Sequence, residues 1–168
     1  MKPIIRAPNE VLTTPTQTVD HFDKKLESLV LDMKKTLLAT KRPKGVGLAA
    51  NQVGVPYRLF ITKPTAKAEI RVFINPEIVK EVHTSPGSEP EKKEEGKLEG
   101  CLSIPDIWGH VNRASEITIR YQDITGDKHE EIITGFLAHV VQHETDHTNG
   151  ILFSQRVAEQ KEKFYRSW

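Results

Sequence analysis

Over residues 23–40 apolar side chains recur every three or four positions, at Leu26, Leu29, Val30, Met33 and Leu37, with lysines and acids between them. That spacing lays one apolar stripe along a helix and predicts an amphipathic packing helix. Residues 57–62, 70–74 and 77–82 are short β-rich runs separated by Pro, Gly or polar residues, and read as antiparallel strands. In 115–122 the pattern alternates, with Ile117, Ile119 and Tyr121 on one face. A polar turn at 123–128 then leads back into a partner strand at 129–134. Helical spacing returns in 135–150, GFLAHVVQHETDHTNG, where Phe136, Leu137, Val140 and Val141 make an apolar face. Thr134 is placed to cap that helix and Gly150 to end it.

Between these elements lie stretches of another kind. Residues 1–22 read as an irregular, Pro-punctuated start. Residues 41–54, KRPKGVGLAANQVG, are small enough for a tight loop that approaches another group closely. The Lys-Ser/Thr pair of a phosphate-binding loop is missing there, and the polar Asn51 and Gln52 sit unexplained among apolar neighbours. Residues 84–97, TSPGSEPEKKEEGK, read as a solvated loop or hairpin tip. The charged tail 155–168, with Val157, Phe164 and Tyr165, reads as a helix. The whole pattern combines short antiparallel strands with an N-terminal amphipathic helix, the 135–150 helix and a C-terminal helix, an α+β composition.

Length and charge narrow the functional classes. The 168 residues suffice for one domain with a real core, and no composition shift or repeat divides them. With 24 basic and 23 acidic residues the net charge is +1, which offers no electrostatic footprint for nucleic acid or an anionic membrane. The first residues lack a signal peptide's apolar region, and no stretch reaches the roughly 18 apolar residues of a membrane span. A cytoplasmic protein is the expectation. The lone Cys101 excludes an internal disulfide; taken alone, such a residue is most simply a small buried hydrophobe.

The chemistry concentrates in the 135–150 helix. His143 and His147 are four residues apart, so both imidazoles leave one face and reach a single ion, with Glu144 beside them. His-Glu-x-x-His is the spacing of zinc-dependent hydrolases, in which two histidines hold the metal and the glutamate activates water. A satisfied, partly buried histidine pair is the plainer alternative. His139 extends the same face by one turn, but two turns rise about 11 Å, too far for one ion to join His139 and His147. It is therefore expected either to support the centre from behind a ligand or to be structural.

Three segments, GVGLAANQVG at 45–54, EGCLS at 99–103 and QHETDH at 142–147, occur in this order and spacing. Together they resemble peptide deformylase over most of the chain, and the resemblance, more than strand counting, implies an α+β fold with antiparallel sheets packed around a central helix that carries His143 and His147. Two departures stand out: Thr148 occupies a position that is usually Leu, and 84–97 is longer than the common form. The resemblance implies that Cys101, His143 and His147 hold one metal ion and leave a fourth position open, as catalytic rather than structural sites do. It implies Fe(II) in the cell, with Zn, Ni or Co as substitutes. It implies hydrolysis of the formyl group from N-terminal formyl-methionine of new polypeptides, with Glu144 moving the proton and Gln52 and the Leu102 backbone N–H stabilising the oxyanion. Val46 and Gly47 would line the substrate path. Glu99 and Arg113 would pair to fix the cysteine loop, whereas Asp146 either orients a ligand histidine or only contacts nearby backbone. Nascent formylated chains are the implied partners, with transient ribosome contact through the C-terminal helix at Lys161, Lys163 and Arg166, and a monomer is expected.

Three rivals use the same residues differently. A zinc endopeptidase shares His143, Glu144 and His147 but commonly takes a third ligand from His, Glu or Asp. A cysteine hydrolase built on Cys101 leaves the histidine pair without a purpose. An inactive metal-stabilised relative has no use for Gln52, Leu102 and Glu144 together.

Overall fold

The amphipathic stripe predicted for 23–40 forms α2 (Lys24–Ala39) in the computed structural model, which describes residues 1–84 and 98–167. Apart from Thr84, the polar stretch 84–97 lies outside the described residues. Leu26, Leu29, Val30, Met33 and Leu37 are all buried, and the Asp23 carboxylate accepts the Leu26 N–H at the helix start, 3.0 Å away. A short α1 (Glu10–Thr13) precedes it, inside the stretch expected to be irregular.

After α2 come β1 (Gly47–Ala49), a 3-10 turn (Ala50–Val53), β2 (Leu59–Thr62) and β3 (Arg71–Val82). Then follow β4 (Glu99–Cys101), β5 (Ile104–Gly109), β6 (Glu116–Gln122), β7 (Lys128–Thr134), α3 (Gly135–Thr148), α4 (Phe153–Glu159) and β8 (Phe164–Arg166). Two antiparallel sheets result, one ordered β1-β2-β3-β6-β7 and the other β4-β5-β8.

The larger sheet is covered on both faces near β1 and β2, and strand alternation explains how. Leu48, Leu59 and Ile61 join the α2 side chains in one cluster, while their neighbours Ala49 and Phe60 point the other way, into a cluster with Ala138 and Val141 of α3. Phe60 stacks on Phe73 there, ring centroids 4.9 Å apart, and Ile117, Ile119 and Ile133 complete the wall. α3 is thereby held against the sheet. A third, smaller cluster of Cys101, Val111, Phe153 and Val157 ties β4 and β5 to α4.

Four local expectations are corrected. The strands expected at 70–74 and 77–82 are one strand, β3, with a register shift between Ile74 and Glu77. Asn75 makes the bend in a left-handed conformation (φ 51°), its amide bonded to both backbone groups of Val19 at 2.8 and 2.9 Å. The 41–54 loop gives way at its end to β1, an edge strand, and the 3-10 turn. The tail helix ends at Glu159: Lys161 turns left-handed (φ 57°) and Phe164–Arg166 pairs instead with β5. Thr134 stands at the start of α3 without a capping side-chain bond. Among the described residues no helix is long and apolar enough to cross a membrane.

Candidate metal centre

α3 sets His143 and His147 one turn apart, with their Nε2 atoms 3.2 Å from each other. The end of β4 brings in Cys101, whose Sγ lies 3.3 Å from His147 Nε2. All three donor atoms fall within 4.8 Å of one another, and all three residues are buried.

Glu99 precedes Cys101 by two residues on β4, the spacing that sends both side chains to one face. Its Oε1 accepts from His143 Nδ1 and, at 2.7 Å, from Arg113 Nη2. Its Oε2 accepts from His139 Nε2 at 2.7 Å and from Arg113 Nε at 3.2 Å. Burial alone would raise the Glu99 pKa, but the His143, His139 and Arg113 donors outweigh it and hold the carboxyl well below the usual range. An ionised Glu99 only accepts, so Nδ1 of His143 is its donor and Nε2 faces the other two ligand atoms. Burial alone would lower this ring's pKa, but Glu99 and Cys101 outweigh it and raise it well above the usual imidazole value, so an ion binding at Nε2 displaces a proton. This suits an ion: a thiolate and two imidazoles form a soft to borderline set, with one ring already oriented from behind.

The Asp146 carboxylate is bonded to arginines rather than to either histidine. Its carboxylate takes Arg113 at 2.6 Å and Arg156 at 2.9 and 3.1 Å, so it anchors the arginine that grips Glu99. Thr148, where an apolar residue is usual, donates its hydroxyl to Thr145 O at 2.7 Å.

The two polar residues of 45–54 now have partners. Asn51 donates to the backbone carbonyl of His147 at 2.8 Å. Gln52 accepts from Ala49 N–H at 3.0 Å and donates to Ser103 Oγ at 3.1 Å, with its Nε2 only 3.6 Å from Cys101 Sγ. Glu144 is buried, and its Oε2 has no hydrogen-bond partner among the described residues. Burial is the main cause that pushes its pKa up to about 7.

A cavity of about 230 Å³ opens onto this cluster. Cys101, His143, Glu144 and Gln52 line its polar end, and Val46, Leu98, Leu102, Trp108, Phe136 and Val140 its apolar walls. Gly47 belongs to the same lining.

The family description polypeptide deformylase matches residues 1–163. Peptide deformylase 1 of Bacillus cereus is 41% identical over 157 residues, covering 92% of this chain and 90% of that protein. The chain belongs to the peptide deformylase family. Peptide deformylase of Rhodopirellula baltica is 36% identical over 160 residues, 94% of this chain and 73% of its own length. The crystal structure of peptide deformylase from Thermotoga maritima superposes with a TM-score of 0.81 at 33% identity, covering 93% of this chain and 97% of that one.

Deformylases are metal-dependent hydrolases that remove the N-formyl group from nascent peptides, and this family assignment disfavours the endopeptidase and inactive-relative readings. Within this deformylase, sequence reasoning passed over Ser103, Leu98, Trp108 and Phe136, all now beside the centre or its cavity. No spacing marks them. Phe136 in particular was placed on the packing face of α3, yet it is 43% exposed and lines the cavity.

Proposed function

We propose that Cys101, His143 and His147 hold one divalent ion, and that Glu144, Gln52 and the Leu102 backbone carry out deformylation around it. The observation that carries this reading is the convergence of the three buried donors next to a buried carboxylate with a free oxygen, at the polar end of an apolar cavity. Held there, the ion would polarise the formyl carbonyl and lower the pKa of water toward neutrality. Fe(II) is the ion assigned to the cell, with Zn, Ni and Co able to replace it, since donor softness and affinity order do not separate these metals.

The residues divide the remaining work. Glu144 takes a proton from the attacking water as oxygen adds to the formyl carbon, then gives it to the departing amine as the C–N bond breaks, leaving formate and a free N-terminus. Its burial keeps it ready to exchange a proton near neutral pH. The Gln52 amide donates one N–H to Ser103 Oγ and the other, over a longer 3.6 Å, to Cys101 Sγ; that second N–H, the weaker bond, is assigned with the Leu102 N–H to the developing oxyanion. Val46 and Gly47 line the approach, and the apolar walls suit a methionine side chain.

Action in the cytoplasm, by a monomer, belongs to the same proposal. Transient ribosome contact is assigned to Lys161, Lys163 and Arg166, which are exposed but lie beyond α4, in the turn and in β8. Unchanged ribosome co-sedimentation of a triple charge reversal at these positions would sink that assignment. For the chemistry, formate release from a formyl-Met-Ala-Ser peptide is followed with anaerobically prepared, iron-loaded protein. Wild type turns over. Glu144→Ala keeps the ion and loses at least about 10²-fold in rate, and chelation abolishes activity until Fe(II) is restored. Turnover by chelated protein, or by Glu144→Ala at the wild-type rate, refutes the reading.

A further inference from the structure

The Glu99 carboxylate is filled to capacity. Two oxygens offer about four acceptor positions, and all four are taken by three residues: His143 and Arg113 on Oε1, His139 and Arg113 on Oε2. Arg113 is itself gripped from the other side by Asp146, so it is anchored independently of the centre. His139 is the remaining donor, one turn before His143 on α3, with its side chain 27% exposed where it lines the cavity. Its ring also lies nearly parallel to that of Phe136, centroids 6.4 Å apart at 25°.

We propose that His139 is a positioning residue for the metal centre, acting through Glu99 to hold His143 in the orientation that retains the ion. The chain of contacts is direct. His139 donates to Oε2, the carboxylate plane is thereby set from both ends, and Oε1 is presented to His143 Nδ1. Without His139, Oε2 keeps only the longer bond from Arg113 Nε, and the carboxylate is free to swing toward Arg113 and away from His143. A histidine ligand whose rear partner shifts loses both its ring orientation and part of its basicity.

This inference rests on the reading of Cys101, His143 and His147 as ion ligands, and the experiment separates the two. Wild type, His139→Leu and His139→Gln are loaded with Co(II). The stoichiometry, the visible absorption spectrum and the rate of ion loss to a chelator are measured, with the melting temperature of each metal-free protein as the check on folding. Wild-type protein that takes up no stoichiometric ion overturns the ligand assignment itself. With wild type loaded, the expected result is ion loss about 10-fold or more faster in His139→Leu, with an altered Co(II) spectrum. His139→Gln, whose amide can still donate to Glu99, recovers most of the wild-type rate. Ion loss and spectrum unchanged in His139→Leu, with only KM for formyl-Met peptides altered, would overturn the proposal and leave His139 as a wall of the cavity. Equal defects in the Leu and Gln variants would overturn it too, since the donor would then be irrelevant.

Discussion

Gly47 lies directly under the carboxyl group of Glu144: a Cβ built on Gly47 would stand 2.8 Å from Glu144 Cδ and Cγ. A side chain there therefore requires Glu144 to move, and the obstacle is that carboxyl group, not the backbone conformation. Gly47→Ala pushes on a carboxyl packed inside the protein, where a displacement on the order of 1 Å can reduce turnover about 10²-fold. The expected outcome is a fall in kcat of that order with little change in metal content. Formate release and metal analysis on the same sample check it; wild-type kcat in Gly47→Ala would show that Glu144 has room to move.

Arg113 and Arg156 share Asp146, but they differ in burial: the Arg113 side chain is 7% exposed and that of Arg156 33%. Replacing Arg113 by Met takes the guanidinium from the buried Glu99 carboxylate and leaves Asp146 with Arg156 alone, and breaking such a buried pair costs about 3–5 kcal/mol. Arg156→Met removes a solvent-screened partner and is expected to cost about 1 kcal/mol or less. Urea unfolding of both variants in the metal-free state tests the ranking, keeping ion loss out of the comparison. Equal destabilisation would contradict the division of roles.

Asp123 closes the turn between β6 and β7. Its carboxylate accepts from the Thr125 hydroxyl at 2.5 Å, from His129 at 2.7 Å, and from the backbone N–H groups of Thr125 and Asp127 at 2.9 and 3.2 Å. The Thr125 hydroxyl and then His129 pull its pKa well below the usual carboxylate value. A depressed pKa means that the folded state binds fewer protons than the unfolded one. The turn's contribution is present above the ordinary value of about 3.9 and is lost as pH falls from there toward the folded pKa. Asp123→Asn should show a shallower loss of stability below that pH than wild type. Thermal melts from neutral to strongly acidic pH measure it, and identical slopes would mean that the depressed pKa contributes nothing to stability.

Much of this deformylase was legible in its sequence wherever the signal is a local repeat. The α2 stripe and the alternation of β6 are consequences of side-chain periodicity, and each residue named from the pattern is buried except the half-buried Tyr121. The pairing of His143 with His147 is equally local, since a helix needs only four residues to put two rings on one face. Other features depend on partners far along the chain. Asp146 was equally compatible with a histidine or with backbone, and only the fold, by delivering Arg113 and Arg156, commits it to two guanidiniums.

The tail shows the same limit, because Phe164–Arg166 has a pattern that fits a short helix and becomes a strand by meeting the free edge of β5. Strand formation is decided by a neighbour, and the neighbour is more than fifty residues away. The sequence by itself determined the local elements, the histidine pair and, through three spaced motifs, the family resemblance. The resemblance implied that Cys101 joins those histidines, and the tertiary structure brings its donor atom to theirs; tertiary structure alone decided that Glu99 is saturated by three residues and that Gly47 leaves the space Glu144 occupies. Apart from the Arg113–Glu99 pair, 14 residues apart, these contacts span 40 or more residues, and all are set by how two sheets and α3 pack and not by any periodicity within a segment.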